Sequence, residues 1–294
     1  MNNIEKEYTL RHPVVSGLFY PDRENDLRQT VEEYLSKVDR QSLVRDVGTQ
    51  TGISNPEGEL PLVLVSPHAG YIFSGEVQAY GFSLLIGKSV DAAVIIGPAH
   101  QVSFEGVSVN LDNAYETPLG LVEVDLNMAN RLVSLDGRLK TKEEAHLAEH
   151  SIEVQLPFLK EVLPDAKIVP VLMGEQTWET AVLLKDALVR ALNADTKKYV
   201  IIVSSDLSHY HSRIEALELD QALIHSLKQM DAEALFASIQ SGSAEACGFG
   251  GILTGIMLSK ELGRGKSAVL AYRDSGEVSG DRRRVVGYLS AVMY

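Results

Sequence analysis

Short apolar runs that lack polar alternation are the strongest constraint on the fold of this chain. Three of them, at residues 62–65, 92–96 and 199–203, each lead into a short turn that carries a histidine. Continuous runs of this kind are typical of strands buried on both faces, as in parallel sheets covered by helices. Segments with apolar residues at helical spacing, for example 27–38 and 181–192, lie before and between the runs. We therefore predict an α/β fold with a central mixed, mostly parallel sheet and helices on both faces.

Three further segments refine this prediction: a pair of strands, a loop and a helix that contains a proline. Residues 106–109 and 120–124 have the composition of short strands and are predicted to form an antiparallel pair. Residues 40–60 are polar and contain Gly, Asn and Glu, which favours a loop. Pro157 stands within a helical repeat, where it either kinks the helix or begins it. Since no linker or internal repeat interrupts the chain, residues 1–294 are predicted to form a single domain.

The charge balance and the cysteine count exclude several classes of protein. With 27 Lys and Arg against 40 Asp and Glu, the formal net charge is −13, which disfavours nucleic acid and anionic membranes as partners. The three arginines at 282–284 are an exception, and we expect them to form a solvated or ion-paired strand edge. A single cysteine cannot form an intramolecular disulfide, and no segment has the pattern of a signal peptide or a membrane helix. We expect a cytoplasmic protein.

Side chains that bind transition metals stand in the turns of this chain. His68 follows the first run, His100 follows the second, and Cys247, the only cysteine, precedes a glycine-rich helix start. The carboxyl ends of parallel strands meet at one edge of a sheet, and imidazole and thiolate bind late first-row metals. A position before a helix also favours the thiolate form of Cys247. Histidines satisfied by backbone groups and a small buried thiol are the alternatives, but the pattern favours one metal site.

Asp206 and His209 follow the third run and bring acid–base chemistry to the same edge. Their spacing of three places them on one face if a helical turn starts there. A carboxylate beside an imidazole fixes the tautomer and suits a general acid or base, whereas an aspartate that caps the next helix is the alternative. His150 either reaches the same crevice or begins a helix. Surface positions or ordinary packing are expected for His12, His146 and His225.

Familiar catalytic signatures are absent from the sequence. It has no Gly-x-Ser-x-Gly turn, no Walker A loop and no His-Glu-x-x-His helix. The glycines after Cys247 do not match the dinucleotide fingerprint, because Leu253 stands at the third glycine position. Neither a serine hydrolase nor a nucleotide cofactor is indicated.

The order of these motifs along the chain resembles the Memo family, known in prokaryotes as AmmeMemoRadiSam system protein B. That family is similar in fold to the catalytic subunit of class III extradiol dioxygenases, which are non-haem Fe(II) enzymes. The resemblance extends over nearly the whole chain. It rests on residues 11–21, 67–75, 97–100, 149–158, 204–210 and 247–250.

The resemblance implies a role for each candidate site residue. Asp206 and His209 would line the metal pocket, and His150 would match the histidine of a Glu/Asp-His motif shared with the dioxygenases. The dioxygenases use two histidines and a glutamate, so a cysteine in place of the glutamate makes the site softer. The expected metal is therefore Fe(II) or Cu(I), with Zn(II) less favoured. The family's metal-ligand positions correspond to His68, His100 and Cys247.

Three functions follow as hypotheses. The first is a redox metal protein in which His209 acts as acid or base, Asp206 orients it and His150 donates to a bound substrate or oxygen species. For this function the family name implies a radical SAM protein as partner. The second is a binding protein on a dioxygenase-like fold that holds a peptide or small ligand without turnover, as animal relatives are described as adaptors. The third is a zinc-dependent hydrolase with His209 as proton shuttle.

Overall fold

The computed structural model of the protein describes residues 8–294. Its strands are β1 (Leu10–Arg11), β2 (Val63–Ser66), β3 (Ala92–Pro98), β4 (Val107–Val109), β5 (Ala114–Thr117), β6 (Gly120–Glu123), β7 (Leu139–Lys140), β8 (Lys167–Met173), β9 (Tyr199–Ser204), β10 (His209–His211), β11 (Ser267–Asp274) and β12 (Val285–Met293). Its helices are α1 (Glu24–Ser36), α2 (Arg40–Thr51), α3 (Tyr71–Ser83), α4 (Leu126–Leu135), α5 (Glu143–Leu147), α6 (Leu156–Val162), α7 (Trp178–Asn193), α8 (Arg213–Lys228), α9 (Ala232–Gln240), α10 (Phe249–Glu261) and α11 (Gly276–Ser279).

A mixed sheet with a parallel centre organises the fold. Its strand order is β10-β12-β2-β9-β3-β8-β4-β7, and β11 pairs with β12. The central strands β2, β9, β3 and β8 are parallel, whereas β12 is antiparallel to β2 and β4 is antiparallel to β8. A smaller sheet has the order β1-β5-β6. The predicted α/β fold with a central mixed sheet is confirmed, and β2, β3 and β9 match the three apolar runs to within two residues.

Helices cover both faces of the main sheet. Gly81 of α3 lies against Leu64 of β2, whereas Gly255 of α10 lies against Val63 of the same strand. Successive side chains of a strand point to opposite faces, so α3 and α10 lie on opposite sides of the sheet. Buried side chains from the sheet and both helical layers form one continuous hydrophobic cluster.

The carboxyl ends of three neighbouring parallel strands form one edge of this sheet. β2, β9 and β3 lie side by side and end at Ser66, Ser204 and Pro98. Ser66 is the direct register partner of Ser204. His68 and His100 each follow a strand end by two residues, so their turns leave the sheet at the same edge.

The loop predicted for residues 40–60 is wrong, because α2 occupies most of it. This helix begins after Asp39, whose side chain accepts the Ser42 N–H at 3.0 Å. Its buried positions recur every fourth residue, a helical signal that the polar composition of the segment obscured. They are Leu43, Val47 and Thr51.

The pairing predicted between residues 106–109 and 120–124 is also wrong. β4 pairs with β7 and β8 in the main sheet, whereas β6 pairs with β5 in the smaller one. Both segments are strands as predicted, but short strands fit several partners, and tertiary packing decides among them. α6 begins at Leu156 and Pro157 stands in its first turn, so the proline marks the start of the helix and does not kink it.

The surface features of the described chain agree with the charge analysis. The arginines at 282–284 are exposed. Arg283 pairs with Asp281 at 3.0 Å, and the Arg284 guanidinium lies over the Tyr210 ring, 5.1 Å from its centroid. Within residues 8–294, none of the helices has the length and apolar content needed to cross a bilayer.

Candidate metal centre

His68, His100 and Cys247 bring three ligand atoms together at the carboxyl edge of the sheet. One ligand atom from each residue lies within 4.8 Å of the other two. Sγ of Cys247 is 3.2 Å from Nε2 of His68. His68 is buried, whereas the side chain of His100 is 29% exposed, so the cluster has a closed inner end and an open outer end.

The hydrogen bonds of Ser204 fix the tautomer of His68. Ser204 Oγ donates to the Ser151 carbonyl at 2.6 Å and accepts from Gln155 Nε2 at 2.9 Å. Nδ1 of His68 lies 2.9 Å from the same oxygen. Because the hydroxyl hydrogen is already used, Nδ1 must carry the proton and donate it to Ser204. Nε2 of His68 therefore carries the lone pair of the neutral ring and faces Cys247.

Glu149 fixes the tautomer of His100 in a similar way. Its carboxylate accepts the His100 backbone N–H at 2.6 Å and lies 2.9 Å from Nδ1 of the same residue. The N–H groups of His150 and Ser151 donate to it as well, at 2.9 Å each. An ionised carboxylate only accepts hydrogen bonds, so Nδ1 of His100 carries the proton and Nε2 is free. Burial acts to raise the pKa of Glu149, but His100 and the backbone donors lower it to about 2.

The histidines of the cluster differ in their protonation. Burial, followed by the neighbouring His100 and His150, holds the pKa of His68 well below its ordinary value. Burial also lowers the pKa of His150, against the charge of Glu149. At His100 burial acts in the same direction, but the hydrogen bond and charge of Glu149 outweigh it and raise the pKa. His68 and His150 are thus held in the neutral form that binds a metal, and His100 retains a proton more readily.

Cys247 lies on a turn that only glycine permits. It precedes Gly248, the N-cap of α10, and a Cβ at Gly248 would lie 2.5 Å from the carbonyl oxygen of Ser204. Sγ accepts the Asp206 N–H at 3.2 Å. Burial, followed by the charge of Asp206, raises the pKa of the thiol, so the prediction that the helix start favours the thiolate is wrong for the chain alone. A cation at the sulfur would reverse this balance, because the thiolate is the ligand form.

His150 forms one wall of the cluster and does not merely begin a helix. Its ring stacks on that of His100 with the centroids 4.9 Å apart. It meets the rings of His68 and Phe19 edge to face, at 5.4 Å and 5.1 Å. Ligand atoms of His100, Glu149 and His150 form a second group within 4.8 Å of one another.

Asp206 and His209 lie at the site, but not in the predicted geometry. Residues 205–208 are not helical and His209 begins β10, so the two side chains do not share the face of a helical turn. Asp206 Oδ1 accepts the His68 N–H at 2.8 Å, whereas Nδ1 of His209 lies 2.7 Å from the Leu207 carbonyl. Leu207, and not Asp206, therefore fixes the tautomer of His209 and leaves its Nε2 free. Burial raises the pKa of the Asp206 carboxyl, although the His68 N–H acts to lower it.

The acceptors behind these imidazoles were not identified from the sequence. Ser204 and the Leu207 carbonyl carry no local signal, and the position of Glu149 directly before His150 is the one feature that could have indicated its role. Among the histidines expected on the surface or in ordinary packing, His146 is buried. The exposed ones are His12 and His225.

The fold and these side chains together define a class: an α/β protein that gathers two histidines and one cysteine, as a candidate metal centre, at the carboxyl edge of a parallel sheet. A family model described as Memo-like protein matches residues 11–292. The chain belongs to the Memo family, in agreement with the resemblance of its motifs.

Relatives of this family match the chain over nearly its whole length. A MEMO1 family protein of Methanobrevibacter smithii is 36% identical over 284 residues, which cover 96% of this chain and 99% of that protein. A MEMO1 family protein of Methanocaldococcus jannaschii is 37% identical over 294 residues, which cover 97% of this chain and 99% of that protein. Among solved structures, an uncharacterized protein from Escherichia coli K12 is similar with a TM-score of 0.47 and 14% identity, over 79% of this chain and 99% of that one.

Proposed function

We propose that this protein binds a redox-active metal ion, Fe(II) or Cu(I), through His68, His100 and Cys247 and acts in a non-haem redox reaction. The fixed tautomers support this proposal most directly. Ser204 and Glu149 engage Nδ1 of the two histidines, so Nε2 is the nitrogen that each neutral ring presents to a metal. Metal-binding histidines usually donate their other nitrogen to such an acceptor, which orients the ring and raises its basicity.

The donor set fits a late first-row metal. Two imidazole nitrogens and a thiolate suit Fe(II), Cu(I) and Zn(II) better than they suit Mg²⁺ or Ca²⁺, which prefer oxygen ligands. Three protein donors also leave a position for a further ligand, as catalytic metal sites require. When bound, Fe(II) or Cu(I) supplies one-electron redox chemistry.

Two further histidines would act on a molecule bound at the metal. Because Leu207 holds the Nδ1 hydrogen of His209, Nε2 of His209 can accept a proton from a bound molecule and return it. His150 lies against the rings of His68 and His100, where it would donate to a molecule bound beside them. In this proposal His209 is the acid–base residue and His150 orients the substrate.

Anaerobic metal titration tests the ligand assignment. Wild type, Cys247→Ser and His209→Ala are titrated separately with Fe(II), Cu(I) and Zn(II), and bound metal is measured after dialysis. We expect one metal ion per wild-type chain and unchanged stoichiometry in His209→Ala. Cys247→Ser should lose more than about a hundredfold in affinity, since even the loss of an outer partner costs roughly 10–100-fold. His225→Ala, at an exposed histidine of α8, is the matched control.

The same titration distinguishes the proposed ligand set and function from the alternative ligand sets and functions. Stoichiometric metal in Cys247→Ser would remove the cysteine from the ligand set, and a comparable loss in His209→Ala would add His209 to it. Binding of Zn(II) alone would favour a zinc-dependent hydrolase. Failure to bind any of the three metals would favour a non-catalytic binding protein. Association with a radical SAM protein remains a prediction from the family resemblance.

A further inference from the structure

A cavity of about 360 Å³ opens beside the candidate metal centre, and Cys247 and His209 form part of its lining. This volume is at the lower end of the range of small-molecule sites. A larger groove of about 570 Å³ runs along α7, but none of the clustered histidines or Cys247 lines it. The smaller cavity therefore gives a route to the Cys247 end of the cluster, whereas the larger groove gives none. We call it the Cys247 groove.

The walls of the Cys247 groove are mostly apolar and are held in place. Gln176 accepts the Gly250 N–H at 2.8 Å and donates to the Cys247 carbonyl at 2.6 Å. The Gly248 N–H donates to Ser205 Oγ at 2.9 Å. These bonds fix the wall that carries the thiol. Its apolar lining consists of Leu207, Ile239, Ala244, Ala246 and Phe249.

The groove also carries one carboxylate, that of Glu245. Its two oxygens lie 3.0 Å and 2.9 Å from Nε2 of His211. That nitrogen has at most one hydrogen to donate, so the carboxylate retains acceptor capacity toward the groove. The Glu245 side chain is 41% exposed, and a solute can reach it without displacing a buried group.

We propose that the Cys247 groove admits a small organic cation as substrate. Its apolar body would lie against Leu207 and Phe249, its amine or guanidine group would pair with Glu245, and its other end would reach Cys247. Apolar walls with one placed charge are typical of sites that orient a small ligand, and a charge-assisted hydrogen bond to a carboxylate is about twice as strong as a neutral one. The inference rests on the proposed function, because it names the substrate class of that same site.

The single cysteine makes a direct test possible in protein freed of metal by a chelator. Cationic 2-(trimethylammonium)ethyl methanethiosulfonate and anionic 2-sulfonatoethyl methanethiosulfonate each transfer their alkylthio group to a thiolate and release methanesulfinate. Their rates at Cys247, measured by intact mass and divided by the rates at a small free thiol, report the charge of the groove. The cationic reagent should react at least about tenfold faster, because a charged cleft concentrates counter-ions.

Variants test whether Glu245 causes the faster reaction of the cationic reagent at Cys247. Glu245→Gln should reduce the rate ratio by about threefold or more, whereas Glu218→Gln, the same change at an exposed position of α8, should leave it as in wild type. Ala246→Leu, which fills the groove, should slow both reagents. Finally, 2-phenylethylamine should protect Cys247 from N-ethylmaleimide, and 3-phenylpropionate should not.

Several results would overturn the inference. They are an equal or inverted rate ratio in wild type, equal effects of Glu245→Gln and Glu218→Gln, and a Cys247 that neither reagent reaches. Protection by a phosphorylated peptide but not by the amine would indicate a peptide site instead. Because labelling uses metal-free protein, it can succeed or fail independently of the metal titration, and the two proposals are therefore tested separately.

Discussion

At the scale of single residues, His146 shows how strongly this fold lowers the pKa of a histidine away from the candidate metal centre. Nε2 of His146 lies 3.0 Å from Ser108 Oγ, and Nδ1 lies 3.3 Å from Tyr115 Oη. Burial, followed by the charge of Arg11, lowers the pKa of His146 from 6.5 to about 4. The folded chain therefore excludes a proton that the unfolded chain binds.

The free energy of unfolding should consequently fall as the pH decreases from 6.5 toward about 4. In this window the unfolded chain binds a proton at His146 and the folded chain does not, so acid favours unfolding; the shift corresponds to on the order of 3 kcal/mol. Urea unfolding of wild type and His146→Gln across this window measures the effect, with the exposed His225→Gln as control. The slope should flatten only in His146→Gln, and an unchanged slope there would refute the assignment.

At this scale the sequence predicts which side chains meet but not what holds them. His68 and His100 follow apolar runs, and the convergence of parallel strand ends is enough to place both at one edge. Their acceptors, Ser204 and Glu149, come from a different strand and a different turn. Such pairings depend on how distant segments stack, and no local pattern encodes this. For the same reason, the sequence predicts that Asp206 orients His209, whereas in the structure Asp206 accepts the backbone N–H of His68.

At the scale of elements, one buried carboxylate fastens the N-terminal segment to the site. Glu153 is wholly buried in the 3-10 helix that leads into α6. Its donors are Arg11, the N–H groups of Val14 and Val15, and the hydroxyl of Tyr20. The same segment places Phe19 against His150. Two separate segments of the family resemblance, 11–21 and 149–158, therefore bind each other.

Removal of the Glu153 carboxylate should destabilise the folded chain. Glu153→Gln should lower the free energy of unfolding by about 3–5 kcal/mol, because it leaves the Arg11 guanidinium buried without its charge partner. Glu161→Gln breaks the partly exposed pair of Glu161 with Arg28, which is 2.9 Å long, and should cost less than about 1 kcal/mol. Urea denaturation measures both variants. Similar losses in the two would show that Glu153 does not anchor the segment.

The element predictions fail where composition and periodicity disagree or where a strand is short. The composition of α2 indicates a loop because most of its residues are polar and only a few positions, such as Leu43 and Val47, are buried. β4 spans only Val107–Val109, which is too short to specify a partner. In contrast, the longer apolar runs of the central strands left no alternative to burial on both faces.

At the scale of the whole molecule, strand order decides the site. β9 lies between β2 and β3, so the end of β9 stands between the turns of His68 and His100. The sequence predicts a mostly parallel centre, but crossovers of many residues connect these strands, and local patterns do not fix their order. The cluster and the Cys247 groove are both consequences of that order. The candidate site therefore forms only when these strands assemble in this order.

Optical spectroscopy of the Co(II)-substituted protein reports directly on whether the Cys247 sulfur binds the metal. Co(II) accepts the same nitrogen and sulfur donors as the native candidates, and coordination by a thiolate adds intense charge-transfer absorption in the near ultraviolet. We predict this absorption, saturating at one equivalent of Co(II), in wild type and in His209→Ala, and its loss in Cys247→Ser. Co(II) binding without the absorption in wild type, or an identical spectrum in Cys247→Ser, would contradict a metal centre formed by His68, His100 and Cys247.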